Sequence, residues 1–275
     1  MSLDNNRKKP GHNAPLKKYG QNFLTSPAVA QKTVDAADLN PQDTVLEIGP
    51  GKGVLTRLMA GQCRRVWAVE IDPRWVQKLQ EEFAGNERVA VVNEDILRFD
   101  PSGIKADSGC GCKVVANLPY NIAVPILEKL LTTRPKLQSL VVMVQKEMAD
   151  RIAAQPECKD YGSLSLFIQY HARVEKLFHV PPGSFFPRPK VTSSVIRLTP
   201  HSRPPVKLDD EHAFFEFVRS CFAKRRKMLR AVLKQQYKWP EAVLSGVTAV
   251  DLSRRAETLS LEDFVTLYNY LKTDL

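Results

Sequence analysis

"TVLEIGPGKGVLTRLMAG", residues 44 to 61, decides how this chain folds. A run of buried-strand character, TVLEIG, stops on glycine. Three glycines then alternate at Gly49, Gly51 and Gly53, and GVLTRLMAG reads as a short helix closed by Gly61. Outward from this stretch the grammar repeats. RVWAVEID (65–72) is a second strand, and PRWVQKLQEEFAG places Pro73 at a helix start and Gly85 after its end. RVAVVNED (88–95), KVVANLP (113–119) and SLVVMVQKE (139–147) read as further strands. Val- and Ile-rich strands alternating with helical patterns predict an α/β fold: a Rossmann-like sheet, mostly parallel, with helices on both faces.

After Tyr161 the grammar changes. SLSLFIQYHA fits helix or strand, whereas RVEKLFHV and KVTSSVIRL (190–198) read as strands. Late strands joined by loops predict an antiparallel edge on the parallel sheet. Three prolines in TPHSRPPVKL (199–208) mark a linker, and beyond it the chain reads as helices only. The expected organisation is a flexible basic tail (1–18), a large α/β domain (19–200) and a small all-helical domain (207–275).

Bulk properties narrow the partners. The 275-residue chain carries a formal net charge of +10, with a pI of about 9.4, which points to an anionic partner. Cys63, Cys110, Cys112, Cys158 and Cys221 are scattered, and no second pair or nearby histidine completes a zinc site around Cys110 and Cys112. Free thiols in a reducing compartment are expected, and no metal. No apolar run approaches the roughly 20 residues of a membrane span. The N-terminal stretch has no signal-peptide core. A cytoplasmic, membrane-free protein is the expectation.

The glycine turn lies where doubly wound folds bind ligands, at the carboxyl edge of the sheet, and glycines there allow close approach of a ligand to the backbone. The dinucleotide fingerprint G-x-G-x-x-G would need glycine at Val54, and the spacing of a triphosphate loop is missing too. Glu70, ending the second strand, is placed to hold two ribose hydroxyls. Asp95, ending the third, can accept from an exocyclic amine. Either acid could instead cap the helix that follows. Taken in succession these strand ends describe a pocket for a nucleoside with an amino-acid tail, S-adenosylmethionine.

The fourth strand ends in Asn117-Leu118-Pro119-Tyr120. Beside a methyl donor, the Asn117 amide oxygen and the Leu118 carbonyl can both accept hydrogen bonds from one amino group. Pro119 stiffens the turn, and Tyr120 offers a flat face for a nucleobase. An exocyclic adenine amine is a poor nucleophile because its lone pair is conjugated into the ring. Two acceptors on its hydrogens favour the pyramidal form and stabilise the charge that grows during in-line attack. No strong general base is required.

These motifs carry a resemblance. The chain resembles the ribosomal RNA adenine dimethyltransferases along nearly its whole length, with YGQNFL (19–24), EIGPGKGVLT, VEID, NEDIL, NLPYNIAVPIL, VQKEMADRI, YGSLS and FFPRPKVTSSV in that family's order. The resemblance implies that Asn22, Leu24, Gly49, Glu70, Asp95 and Asn117 line the donor site, with Gln21 and Gly51 beside it. It also implies two base-stacking aromatics, Tyr120 and Phe185. The target adenine would be unstacked or flipped out. Two departures stand out: Thr25-Ser26 where relatives often carry Asp, read as a helix cap, and DSGCGC (107–112), for which no function is read.

SCFAKRRKMLRAVLKQ (220–235) reads as part of one long basic helix. Val218, Phe222, Leu229, Val232 and Leu233 recur at helical spacing and should face a core. Lys224, Lys227, Arg230 and Lys234 then fall on another face, and with Arg226 they form a candidate contact for an RNA backbone. A comparable segment opens the C-terminal domain in the small-subunit branch of the family. The implied reaction is N6,N6-dimethylation of two adjacent adenosines in a hairpin loop near the 3′ end of 16S rRNA, on a maturing small subunit and by a monomer. The alternatives are the resistance branch that dimethylates 23S rRNA, a non-catalytic nucleic-acid-binding factor on the same fold, and an NAD-dependent oxidoreductase, which the glycine spacing disfavours.

Overall fold

The computed structural model describes residues 15–16, 19–104, 111–132 and 137–272. The basic tail to residue 14, residues 17 and 18, and Cys110 with the rest of 105–110 lie outside the described residues. Two compact units form: residues 1–145 with 177–197, and residues 146–176 with 198–275.

The first unit is built on parallel strands. β1 (Phe23–Leu24) leads into α1 (Pro27–Asp35), whose N-cap is Ser26, accepting from Val29 N–H, with Pro27 in the first turn. Then come β2 (Thr44–Ile48), α2 (Val54–Ala60), β3 (Arg65–Glu70), α3 (Pro73–Glu82), β4 (Val89–Asn93), β5 (Cys112–Asn117), α4 (Ala123–Thr132) and β6 (Leu137–Gln145). The pairs β2–β3, β2–β5, β3–β4 and β5–β6 are parallel. With β7 (Ala172–Val180) and β9 (Ser193–Pro200), the sheet order is β4-β3-β2-β5-β6-β9-β7, a mixed sheet of mostly parallel strands. A separate two-stranded sheet pairs β1 with β8 (Phe185–Phe186), antiparallel. Every residue of central β2 is buried, as strands covered on both faces require, and Val45, Val66, Val115 and Val141 pack with Ala30, Val34 and Met59 in one core.

Strand register positions the site. Ile48 lies opposite Val69 of β3 and Ala116 of β5. The next residue on each of these strands is therefore Gly49, Glu70 and Asn117, three sequence-distant positions in one row. Asn93 pairs with Glu70, so Asp95 lies two residues past that row.

The second unit takes in α5 (Lys146–Ala153) and α6 (Ser163–His171) as well as the C-terminal helices α7 (Glu211–Phe222), α8 (Leu229–Tyr237), α9 (Glu241–Gly246) and α10 (Leu261–Leu271). It therefore begins earlier in the chain than a boundary in the proline-rich 199–208 segment. The reason is aromatic packing. Phe167, Tyr170 and His171 of α6 meet Phe215 of α7, and Phe214 and Phe217 meet Tyr268 of α10, with centroids 5.0–5.9 Å apart. That packing also resolves SLSLFIQYHA, which is helical.

The single long basic helix is corrected to two. α7 ends at Phe222 and α8 begins at Leu229, with turns over the intervening cations. Leu229 N–H donates to Arg254 O (2.9 Å) and Arg230 N–H to Leu252 O (3.0 Å), so the first amides of α8 are satisfied by the 252–254 segment rather than by a continuing helix. Lys224 and Lys227, three residues apart, would also stand as like charges on one face of a continuous helix. The apolar reading holds for Val218, Leu229, Val232 and Leu233, which are buried, and Phe222 is half-buried.

Tyr161, 1% exposed, donates its hydroxyl to Leu259 O at 3.0 Å. Tyr161→Phe leaves that carbonyl unsatisfied and should lower stability by about 1–2 kcal/mol. Urea unfolding of the two proteins measures it, and equal midpoints would contradict it.

Candidate active site

A cavity enclosing about 910 Å³ of non-atom space, with the open solvent at its mouth included, opens over the carboxyl ends of β2, β3 and β5. Gln21, Asn22, Leu24, Gly49, Gly51, Glu70, Asp95, Asn117, Leu118 and Tyr120 all line it. Three of its walls come from chain segments far apart in sequence, and each is fixed by identifiable bonds.

The floor is the glycine turn. Gly49 and Gly51 adopt φ of +64° and +52°, in the left-handed region that side chains disfavour. A Cβ on Gly51 would stand 2.8 Å from the Phe23 ring, whereas one on Gly49 would meet nothing within 4 Å. The first glycine therefore keeps open space above the backbone, and the second lets the turn close against Phe23. Glu70, 4% exposed, locks this turn: its Oε2 accepts from Gly51 N–H and its Oε1 from Asp72 N–H, both at 2.9 Å. Burial, above all, raises its affinity for a proton.

The second wall is the segment before α1. Asp72 accepts from Gln21 Nε2 at 2.9 Å and pairs with Arg74 at 2.6 Å, and Gln21 Oε1 in turn accepts from Leu16 N–H at 2.8 Å. Asn22 contributes its carbonyl, which accepts from Asn117 Nδ2 at 2.9 Å. Leu24 packs behind it, 5% exposed.

The third wall is the end of β5. Because Asn117 Nδ2 is committed to Asn22, its Oδ1 is left buried without a partner. Leu118 N–H is held by Met143 O at 3.1 Å and its side chain is buried. Tyr120 is half-buried, with its hydroxyl 2.6 Å from Ser193 Oγ, and burial raises its pKa. Asp95 completes the rim: one of its carboxylate oxygens accepts from Leu97 N–H at 2.9 Å while the group lines the cavity. It therefore caps the turn that follows while also lining the cavity.

Phe185 departs from the expectation. Its ring is 4% exposed, packed in the core opposite Leu24, and does not line the cavity. Phe186, next in the chain, is 58% exposed. Two-residue alternation on β8 turns one ring inward and the other out.

The basic residues lie in the other unit. Lys224, in the turn after α7, bonds Gln235, and Arg230 and Lys234 on α8 both pair with Glu241. Arg225 is tied to Lys159 O, Tyr161 O and Glu257. Arg226 and Lys227 stand exposed at the turn's tip, beside the exposed Met228. The stripe is thus a pinned turn plus a paired helix face.

Sequence reasoning overlooked Glu47. It is 1% exposed, lines the cavity floor, and accepts from Thr56 Oγ1 at 2.6 Å. Its signal was an acid inside the buried run TVLEIG. The floor therefore holds two buried acids that resist ionisation, polar groups suited to a ligand that brings hydroxyls. The open space over Gly49, these acids and the orphaned Asn117 oxygen fit a sulfonium nucleoside with an amino-acid tail. Among the described residues no group of three or more His, Cys, Asp or Glu could hold a metal ion, and no helix is long and apolar enough to cross a membrane.

The profile of the family described as "Ribosomal RNA adenine dimethylase" matches residues 13–273. "Ribosomal RNA small subunit methyltransferase A" of Geobacillus sp. (strain WCH70) is 42% identical over 266 residues, 93% of this chain and 91% of the relative. The protein of the same name from Geobacter metallireducens is 43% identical over 258 residues, 91% of this chain and 93% of the relative. Among solved structures, a dimethyladenosine transferase from Plasmodium falciparum superposes with a TM-score of 0.77 at 27% identity, covering 91% of this chain and 98% of that one. The 23S rRNA methyltransferase ErmE superposes with a TM-score of 0.66 at 28% identity, covering 91% of this chain and 100% of that one.

Burial pushes the Glu47 carboxyl from its ordinary 4.5 up to about 8, with the Thr56 hydrogen bond opposing and Glu70 adding to the rise. Between those pH values the folded chain holds one proton more than the unfolded chain does. The Glu47 contribution to stability is therefore full below about 4.5 and is lost as pH rises towards 8. Glu47→Gln should flatten this decline, so that the variant gains on the wild type between pH 5 and pH 8 in urea unfolding. Parallel profiles would show that Glu47 is ionised in the folded state.

Proposed function

This chain belongs to the ribosomal RNA adenine dimethylase family, and on that premise we propose that its cavity carries out N6,N6-dimethylation of two adjacent adenosines in a hairpin loop near the 3′ end of 16S rRNA. One observation carries the chemistry: the buried, unpartnered Oδ1 of Asn117 at the cavity wall. S-adenosylmethionine, when bound, supplies an electrophilic methyl group on a sulfonium. Gly49, Gly51, Glu47 and Glu70 would hold this donor from the floor, with Glu70 towards its ribose, and Gln21, Asn22 and Leu24 would enclose it. Asp95 would accept from its exocyclic amine.

Asn117 Oδ1 has its orientation set by the bond from Nδ2 to Asn22 O, so the acceptor is in place before an adenine arrives. Together with the Leu118 carbonyl it would grip both hydrogens of the target amine, favour the pyramidal nitrogen and stabilise its growing positive charge. Tyr120 would stack the base, and its hydroxyl bond to Ser193 keeps the ring from swinging. Neither Asn117 nor Tyr120 acts as a strong base, and none is required, since a methylated ammonium loses its proton to water.

The relatives at 42–43% identity are named for the small subunit, which favours that substrate over the 23S rRNA of the resistance enzymes. A maturing small subunit in the cytoplasm, with the protein acting as a monomer, is the setting we infer. In the helical unit, Arg226 and Lys227 are the cations best placed to meet RNA phosphates. Lys224, Arg230 and Lys234 would add to the field while remaining partnered within the protein.

Labelled S-adenosylmethionine offered with unmodified small subunits, large subunits and naked rRNAs tests the reading. Dimethyladenosine from small subunits supports it, label in 23S rRNA moves the protein to the other branch, and no label from any RNA overturns catalysis. Asn117→Ala should slow transfer by at least about 100-fold, with donor affinity reduced at most a few-fold by calorimetry. Replacing Arg226 and Lys227 with Gln should weaken small-subunit binding. It should also lower the steepness of log K against log salt by roughly 1.5, at about 0.7–0.9 per phosphate contact. An unchanged slope would remove the turn from the RNA interface.

A further inference from the structure

Lys52, in the middle of the glycine turn, has no role in the reading above. It lines the cavity and is half-buried. Its ammonium lies over two aromatic rings, 5.3 Å from the centroid of Phe23 and 6.0 Å from that of Phe186, within or at the limit of a cation–π contact. Among the described residues it has no carboxylate within ion-pair reach. The two rings are cross-strand partners in the β1–β8 pair but differ in surroundings: Phe23 is 7% exposed and Phe186 is 58% exposed.

Phe23 lines the cavity, in an edge-to-face contact with Trp75 and close under Gly51. Phe186 is outside the cavity lining, with its surface available to solvent. The cation that joins them stands at the cavity mouth, between an inner ring and an outer one. Arg188 and Lys190, both exposed, follow Phe186 in the chain and add positive charge. An exposed phenylalanine alone would mean little. An exposed ring beside an unpaired cation, at the mouth of a cavity that takes a nucleobase, has the two elements used to hold a single-stranded nucleotide.

We propose that Lys52 and Phe186 form a rim subsite for the nucleotide adjoining the target adenosine, Lys52 taking its phosphate and Phe186 stacking its base. This rests on the assignment of the cavity to an RNA adenine. A phosphate is preferred to the donor's carboxylate because the cation, though nearer the Phe23 ring (5.3 Å), also reaches the exposed Phe186 ring (6.0 Å), whereas the donor would sit over Gly49 beside Glu70, which is 4% exposed. A flanking base held outside draws the chain away from its neighbours and leaves the target adenine free to enter.

The test uses the full-length protein, unmodified small subunits and S-adenosylmethionine. Phe186→Ala should raise the KM for subunits about tenfold, within the range expected for loss of one stacked base, and Phe186→Trp should restore it. Lys52→Gln should raise the same KM and lower the salt slope of subunit binding by about 0.7, as for one single-strand phosphate contact. Calorimetric affinity for S-adenosylmethionine alone should change less than twofold in each. A Lys52→Gln protein that loses donor affinity while keeping its KM for subunits would assign the cation to the donor carboxylate and overturn the proposal. So would a Phe186→Ala protein of wild-type KM. Either result with wild-type transfer intact and Asn117→Ala inactive leaves the catalytic reading standing. Wild-type protein that methylates no rRNA overturns that reading and this one together.

Discussion

The Glu70 carboxylate accepts one hydrogen bond from Gly51 N–H and one from Asp72 N–H, and the cavity is assembled outward from it. The first bond fastens the glycine turn to the end of β3. The second sets Asp72, which then caps α3 and receives Gln21 and Arg74. Gln21 holds Leu16 N–H, and the segment it anchors supplies the Asn22 carbonyl that orients Asn117. One buried acid thus links the glycine turn to Asn117 at the far wall. Such a group carries a large desolvation cost, and the structure offsets it with backbone donors rather than with a cation.

Much of this was legible because parallel strands write themselves plainly. Val- and Ile-rich runs ending in Gly49, Glu70, Asp95 and Asn117 predicted adjoining strand ends; the register of β2 with β3 and β5 aligns Gly49, Glu70 and Asn117 in one row, and Asp95 lies two residues beyond it. What escaped depends on three-dimensional partners. Glu47 looked like one more strand residue, because nothing in TVLEIG reveals Thr56 across the turn as its donor. Phe185 and Phe186 are chemically alike, and only the pairing with β1 shows which ring enters the core. The break at 223–228 is invisible to helical periodicity, since the apolar spacing continues across it. It is created by the 252–254 segment, which takes the first amides of α8. The helical unit likewise gathers α6 through ring contacts that no linker composition could signal.

The Asn117 oxygen is buried and has no hydrogen-bond partner among the described residues, and a buried acceptor left without a donor costs on the order of 1–3 kcal/mol. A fold that only needed stability would let the side chain turn or fill the space. Here the amide nitrogen is fixed by Asn22, so the oxygen has no alternative partner within the wall. An amine entering the cavity would relieve the cost most fully as its hydrogens become more acidic, when positive charge develops on nitrogen. That is the differential interaction that accelerates a step rather than merely binding a substrate.

A neutral amide at this position also answers to the acids beneath it. Glu47 and Glu70 are both raised by burial, and Glu70 adds to the rise at Glu47. A carboxylate in place of Asn117 would put a further acid on a floor where two already resist ionisation. It would be driven to hold a proton itself and would then present a hydroxyl donor to an amine that needs an acceptor. The amide keeps a full acceptor without a titrating group. The requirement at this wall is therefore for a strong dipole with a fixed direction, and the bond between Asn117 and Asn22 supplies that direction.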